Sequence, residues 1–112
     1  TGVAGFIGYS VAEDLLKKNH MVLGIDNFDS YYSIGLKKKR LSILKRNKKF
    51  NFSKIDIVNV KKLHNFFKNK KFDMIIHLAA QAGVRYSFIN PGKYIDTNIF
   101  GFLNIIQEAK KK

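Results

Sequence analysis

The stretch that decides the fold is Thr1-Gly2-Val3-Ala4-Gly5-Phe6-Ile7-Gly8, in which three glycines recur at intervals of three. Each glycine has a physical task. Gly2 permits a backbone turn with positive φ, Gly5 lets a pyrophosphate approach the main chain closely, and Gly8 lets the following helix pack near a sheet. A helix beginning here aims its first N–H groups and its positive dipole end at bound phosphates. Glycines at this spacing also make ordinary turns, so the residues that follow must decide.

They decide for a dinucleotide site. Residues 6–18 carry a helical pattern with Ile7, Val11, Leu15 and Leu16 on one face, and Asn19-His20 ends it. Met21-Val22-Leu23-Gly24-Ile25 then reads as a short buried strand terminating at Asp26. Asp26 follows Gly8 by 18 residues. That is where a nucleotide-binding βαβ unit places the acid that accepts from the adenosine ribose hydroxyls.

Beyond Asp26 the alternation continues. Residues 27–32 read as a polar and aromatic loop, and residues 34–47 as a helix with Leu36, Leu41, Ile43 and Leu44 as its apolar positions. Lys37, Lys38, Arg40 and Lys45 fall on its opposite, solvated face. Residues 50–55 alternate with period two, as a strand does, and lead to Asp56-Ile57. There a carboxylate can accept from an adenine amino group while Ile57 packs on the ring. Asp56 is equally well placed to cap the turn before a helix over 60–69, whose inward residues are Leu63, Phe66 and Phe67.

Residues 72–80 form a nearly continuous apolar run, the pattern of a strand buried on both faces of a parallel sheet. It ends in Leu78-Ala79-Ala80, small enough for backbone to pass beside a bound ring. His77 lies inside that run and reads as structural, while His20 and His64 have no companions at metal-ligand spacing. A polar loop over 81–90 precedes Pro91. A last helix over 92–110 carries the stripe Tyr94, Ile95, Ile99, Leu103, Ile105 and Ile106, with Asn98 as a core asparagine satisfied by backbone. The alternation of strand and helix gives an α/β fold of Rossmann-like, doubly wound type with a parallel sheet.

Composition narrows the function. The chain has 112 residues, room for one small domain, and 46% of them are hydrophobic, which suits a packed core. The absence of cysteine excludes disulfides, thiolate metal sites and a cysteine nucleophile. No apolar run is long enough to span a membrane and the start is unlike a signal peptide, so the expected compartment is the cytoplasm. A net charge of +13 raises nucleic-acid binding as a third possibility. Against it, 18 of the 21 cations are lysines spread over helix faces and loops, and only three are arginines, the better readers of base edges.

These segments together resemble the N-terminal part of the extended short-chain dehydrogenase/reductases, the nucleotide-sugar epimerases and dehydratases, and most of all their UDP-glucuronate 4-epimerase branch. The glycine stretch carries the resemblance, with Gly24-Ile25-Asp26-Asn27 and Asp29-Ser30-Tyr31-Tyr32 followed by Leu36-Lys37. Its most specific part is His77-Leu78-Ala79-Ala80-Gln81-Ala82-Gly83-Val84-Arg85-Tyr86-Ser87, continuing to Asn90-Pro91, Tyr94 and Asn98. The likeness implies a tightly held NAD that takes a hydride from the sugar C4 and returns it to the other face. It places Gly2, Gly5, Phe6, Ile7 and Gly8 at the pyrophosphate, Asp26 and Asn27 at the adenosine ribose, and Asp56 and Ile57 at adenine. Leu78, Ala79 and Ala80 back the centre of the cofactor, Arg85 lies toward the nicotinamide, and Asn98 matches a structural asparagine beside the active site. It also implies a homodimeric full-length form in which a further domain binds the UDP-sugar.

The departures shape the expectation as much. None of Tyr9, Tyr31, Tyr32, Tyr86 or Tyr94 is followed by lysine four positions on, so the family's Tyr-x-x-x-Lys set is not present. The strand that leads into the glycine loop and the substrate domain are also missing from residues 1–112. The expectation is a partial NAD-binding Rossmann domain, a fragment inactive by itself. The alternative is a free-standing nucleotide-binding module without chemistry.

Overall fold

A computed structural model describes residues 1–111. The chain forms two compact units, Thr1–Lys54 and Ile55–Lys112.

In the first unit, α1 (Phe6–Lys17), β1 (Val22–Asp26), α2 (Ile34–Leu44) and β2 (Phe50–Lys54) follow in order. The two strands pair in parallel from Val22 with Phe50 to Asp26 with Lys54. Parallel neighbours need a crossover connection, and α2 supplies it. α1 starts because Gly5 is extended there (φ −72°, ψ 172°). It stops where Asn19 turns left-handed at φ 70°. α2 is capped by Ser33, whose hydroxyl oxygen accepts from the Leu36 N–H. It ends at Leu44 rather than near 47 because Arg46 and Asn47 donate to carbonyls only three residues back, a tightened last turn.

Val3, Ala12, Leu16, Leu41, Leu44 and Phe50 form the core of this unit, with Tyr9, Val22, Phe28 and Phe52 packed around them. Two expectations change. The buried face of α1 is Gly8, Ala12 and Leu16, not the stripe through Ile7, which is 60% exposed. On α2, Leu36 and Ile43 are exposed while Lys37 is buried with Leu41 and Leu44. Small residues on α1 allow close approach and Lys37 finds polar partners inside, so side-chain volume and pairing outrank hydropathy at both positions.

The second unit contains α3 (Val60–Phe67), α4 (Val84–Ile89), α5 (Pro91–Ile95) and α6 (Phe102–Lys110), with a π-helical turn, Asp96–Gly101, joining the last two. Asn59 caps α3, its side-chain oxygen accepting from the Lys62 N–H at 3.0 Å. α3 buries Leu63 and Phe67 and packs against α6, which buries Ile105. The rings of Phe66 and Phe67 gather Phe72. Residues 72–80 carry no helix or strand, contrary to the sequence pattern. The ladder among the described residues consists of β1 and β2. An apolar run becomes a strand only beside a partner with which its backbone groups can pair, and the ladder of β1 and β2 does not include these residues.

Three further differences lie at the end of the chain. The loop expected over 81–90 contains α4, entered through Gly83 at φ 98°. Asn90 caps α5 by accepting from the Lys93 N–H, and Pro91 occupies the first helical position, where no N–H is needed. The last helix is not one regular stripe: Ile95, Ile99, Leu103 and Ile106 are exposed, while Gly101, Ile105 and Glu108 are buried. The extra residue in the π turn shifts everything after it by about 100° around the axis.

Candidate cofactor-binding site

The glycine turn is built around one carbonyl. Gly2 stands at φ 69°, a left-handed conformation that side chains resist, and its carbonyl accepts from the Gly5 N–H at 3.0 Å. A Cβ on Gly5 would lie 3.1 Å from that oxygen; one on Gly8 would lie 2.0 Å from it and 2.8 Å from the carbonyl carbon. Gly8 therefore lets α1 close on the turn itself. The same tightness reaches the sheet, because a Cβ on Gly24 of β1 would meet the Val3 side chain at 2.7 Å.

The 12-residue α1 begins with no side-chain cap and no acidic residue in its first turn. Phe6 and Ile7 are exposed at that end. An uncapped, acid-free helix start behind a tight glycine turn is a place where backbone N–H groups receive an anion, and a diphosphate fits it.

Asp26 ends β1 and is only 7% exposed. Its Oδ2 accepts from the Ala4 N–H at 3.0 Å and its Oδ1 from the Phe28 N–H at 2.8 Å. The carboxylate thus fastens the glycine turn to the end of the strand. Each oxygen has a second lone pair for a ribose hydroxyl. Asn27 shapes the next turn, accepting from the Asp29 N–H at 2.9 Å.

Two cations complete this corner, although helical periodicity assigns both to a solvated face. Lys37 donates to the Asp29 carbonyl at 3.0 Å, and its Nζ lies 4.0 Å from Asp26 Oδ1. Arg40 donates to the Ala4 carbonyl at 3.3 Å, with its guanidinium 5.8 Å from the Phe6 ring centroid. Helical periodicity gave no signal for them, because their partners lie in the loops at the ends of α1 and β1.

The second unit holds the other candidates. Asp56 is exposed, and its Oδ1 accepts from the Val58 N–H at 3.0 Å, so the capping role is real and leaves the residue facing solvent. Ile57 is buried, and its carbonyl accepts from Asn104 Nδ2 at 3.0 Å. Leu78 and Ala80 are exposed and Ala79 is half-buried. Asn98 grips the next residue by both backbone groups: its oxygen accepts from the Gln81 N–H at 2.8 Å, and its amide donates to the Gln81 carbonyl at 3.0 Å. It is satisfied by backbone as its reading foresaw, but it stands at the surface rather than in the core. Tyr94, one turn earlier, donates to the carbonyls of Ala82 and Gly83. Arg85 is exposed on α4.

His77 packs against the Phe102 ring at 5.6 Å, and burial pulls its pKa below the usual imidazole value. His64 Nδ1 lies 3.2 Å from both Glu108 carboxylate oxygens, a hydrogen-bonded link between α3 and α6, and Lys111 donates to Glu108 at 2.6 Å as its ion partner. Among the described residues no group of acids and histidines could hold a metal ion, and no helix is long and apolar enough to cross a membrane.

In the first unit the structure brings Gly2, Gly5, Gly8 and Asp26 into one corner. In the second it joins Ile57 to Asn104, and Gln81 to Asn98.

Comparison with known proteins places this geometry. The family profile described as GDP-mannose 4,6 dehydratase matches residues 1–112. The UDP-glucuronate 4-epimerase of Thermodesulfobacterium geofontis is 48% identical over 110 residues, covering 98% of this chain and 34% of that protein. Among solved structures, the Bacillus cereus UDP-glucuronic acid 4-epimerase in complex with UDP-glucuronic acid and NAD superposes with a TM-score of 0.87 at 33% identity, over 97% of this chain and 34% of that one. The UDP-Glc/GlcNAc 4-epimerase from Campylobacter jejuni superposes at 0.83 with 31% identity, over 98% of this chain and 32% of its own. The chain thus spans about a third of the length of these relatives and is similar to their N-terminal part.

Proposed function

The chain belongs to the GDP-mannose 4,6 dehydratase family, and from that premise we propose that it is the NAD-binding portion of a UDP-sugar 4-epimerase acting on UDP-glucuronate to give UDP-galacturonate. The observation that carries the reading is the corner in which an uncapped α1 and the Gly2 turn are fastened to Asp26.

In such a reaction NAD supplies a reversible hydride acceptor for the sugar C4. The residues of this chain bind and orient. N–H groups at the start of α1 receive the pyrophosphate between exposed Phe6 and Ile7. Asp26, with Asn27 shaping the turn beside it, accepts from the adenosine ribose, and Lys37 offsets the buried charge of that carboxylate. Asp56 and Ile57 take the adenine, and Leu78, Ala79 and Ala80 lie behind the middle of the cofactor. Arg85 lies toward the nicotinamide, and Asn98 fixes the backbone at Gln81.

No proton-transfer group joins them. A tyrosine with lysine four residues on is absent from residues 1–112, and His77 is packed on Phe102. The reading is therefore of cofactor binding without turnover by these residues alone. In the full-length protein, a homodimer of the cytoplasm, the UDP-sugar is held by other residues.

The test is calorimetric titration of NAD into the 112-residue chain, beside Asp26→Ala and Gly5→Val. Saturable binding weakened tenfold or more by either change is expected. No binding, or binding indifferent to both changes, refutes the reading. Conversion of UDP-glucuronate to UDP-galacturonate by the chain with NAD would refute the assignment of binding without turnover.

A further inference from the structure

The helix that begins at Pro91 grips two different parts of its own unit. Tyr94, before the π turn, and Asn98, inside it, hold the backbone of residues 81–83. Gly101, the last residue of the turn, and Asn104, beyond it, hold Ile57. A Cβ on Gly101 would stand 2.6 Å from Ile57 Cδ1 and 2.7 Å from Cγ1, so the helix backbone lies directly on that side chain. Asn104 Nδ2 donates to the Ile57 carbonyl at 3.0 Å. Ile57 is thus held by side chain and by peptide from one helix, while Asp56 next to it stays exposed.

An uninterrupted α-helix would not present these groups in the same way. At about 100° per residue, positions 94, 98, 101 and 105 of a regular helix share one face. The additional residue of the π turn swings Asn104 and Ile105 round by about that angle relative to Tyr94. Asn104 is also no ordinary core residue. It is half-buried, and a leucine there would fill space equally well without reaching the carbonyl.

We propose that Asn104 and Gly101, presented by the π turn Asp96–Gly101, are positioning residues for purine recognition, acting through Ile57 to set where Asp56 meets the exocyclic amino group of the base. The proposal rests on the NAD-binding reading and deepens it. Holding Ile57 by its side chain and its carbonyl restrains its Cα, from which the chain runs back to Asp56, and a carboxylate must be well placed to accept one N–H from a flat ring.

The test compares NAD with nicotinamide hypoxanthine dinucleotide, in which a carbonyl replaces the adenine amino group and all else is unchanged. Both are titrated into the 112-residue chain and into Asn104→Ala and Gly101→Ala, with helix content checked by circular dichroism. The wild-type chain is expected to prefer NAD about tenfold, as one lost bond to a carboxylate implies. Both variants, one losing a hydrogen bond and the other gaining a clash, should bring that preference toward unity while binding the hypoxanthine analogue nearly as wild type does. A merely structural role would weaken both dinucleotides together and keep their ratio, which overturns the proposal. So does a wild-type chain that binds both equally. A wild-type chain that binds neither overturns the cofactor reading itself, and this proposal with it.

Discussion

Gly8→Ala sets two effects of known sign against each other. In a helix interior, replacing glycine by alanine gains up to about 1 kcal/mol, because glycine gives up more backbone freedom on folding. Here the new Cβ would lie 2.0 Å from the Gly2 carbonyl oxygen, 2.8 Å from its carbon and 3.1 Å from Val3 Cα. Those are backbone atoms and cannot rotate away. Restoring ordinary contact requires α1 and the turn to separate by more than about 1 Å, and overpacking of this kind costs about 1–3 kcal/mol. With three backbone atoms in the way we take the upper figure, which leaves a net loss of about 2 kcal/mol. For a domain of this size that lowers the melting temperature by about 8 °C. The displacement also moves the N–H groups proposed to receive the pyrophosphate, and a shift of about 1 Å in positioning groups can cost about a hundredfold in function. Thermal unfolding followed by circular dichroism and titration of NAD read the two consequences separately. Gly5→Ala is the internal control: its Cβ approaches the same oxygen at 3.1 Å, and it should suffer less on both counts. A Gly8→Ala chain as stable as wild type or more so, with undiminished NAD affinity, would refute the reasoning.

NAD should bind more tightly than NADP, because a 2′-phosphate would meet the Asp26 carboxylate at close range in a partly desolvated corner; equal or tighter NADP binding in parallel titrations would remove Asp26 from the ribose. Lys37→Met should destabilise the chain by about 3 kcal/mol in urea denaturation, since it removes the ammonium that lies 4.0 Å from the buried Asp26 carboxylate. A variant as stable as wild type would show that the backbone donors at Ala4 and Phe28 suffice. Burial pushes the Glu108 pKa up, but the bonds from Lys111 and His64 outweigh it and hold the carboxyl below the usual range. A depressed folded pKa gives stability that is present above the unfolded value, about 4.3, and is lost as pH falls through the folded one. The wild-type advantage over Glu108→Gln should therefore be full at pH 6 and shrink steadily toward pH 3 in urea midpoints. An advantage that persists unchanged at pH 3 would contradict the ion-paired link.

The first unit was the more legible half. Its elements are set by local chemistry: a glycine turn that needs a positive φ at Gly2, a strand ending in an acid, a serine at the start of α2. Such signals act within a few residues, and sequence records them directly. The corner of Gly2, Gly5, Gly8 and Asp26 could be drawn from spacing alone. Lys37 and Arg40 could not. Helical periodicity assigned them to solvent because lysine and arginine are usually there, whereas their partners, the Asp29 and Ala4 carbonyls, belong to loops whose path depends on the finished sheet. A burial pattern reports average hydropathy and cannot anticipate a cation that replaces its hydration with a carbonyl and a carboxylate.

The second unit resisted for a different reason: its pattern was read with the wrong period. Over 92–110 the apolar residues fit a single α-helical stripe, and that fit is what a π turn conceals, because one added residue keeps the helix continuous while changing which side of it is buried. The composition leaves a trace only in hindsight. Gly101 in a helix interior is a costly choice unless something must come close, and Ile57 does. The segment 72–80 shows the complementary failure. Its residues have the hydropathy of a central strand, yet no ladder forms over them, since hydropathy specifies what should be covered and pairing requires a neighbour in register. Both errors concern relations between distant segments, whereas the glycine turn is a relation among eight adjacent residues. That difference in sequence separation explains why the phosphate end of the proposed cofactor site could be read at once. The links that hold Ile57 and the backbone at Gln81 appear only with Asn104 and Asn98 in place.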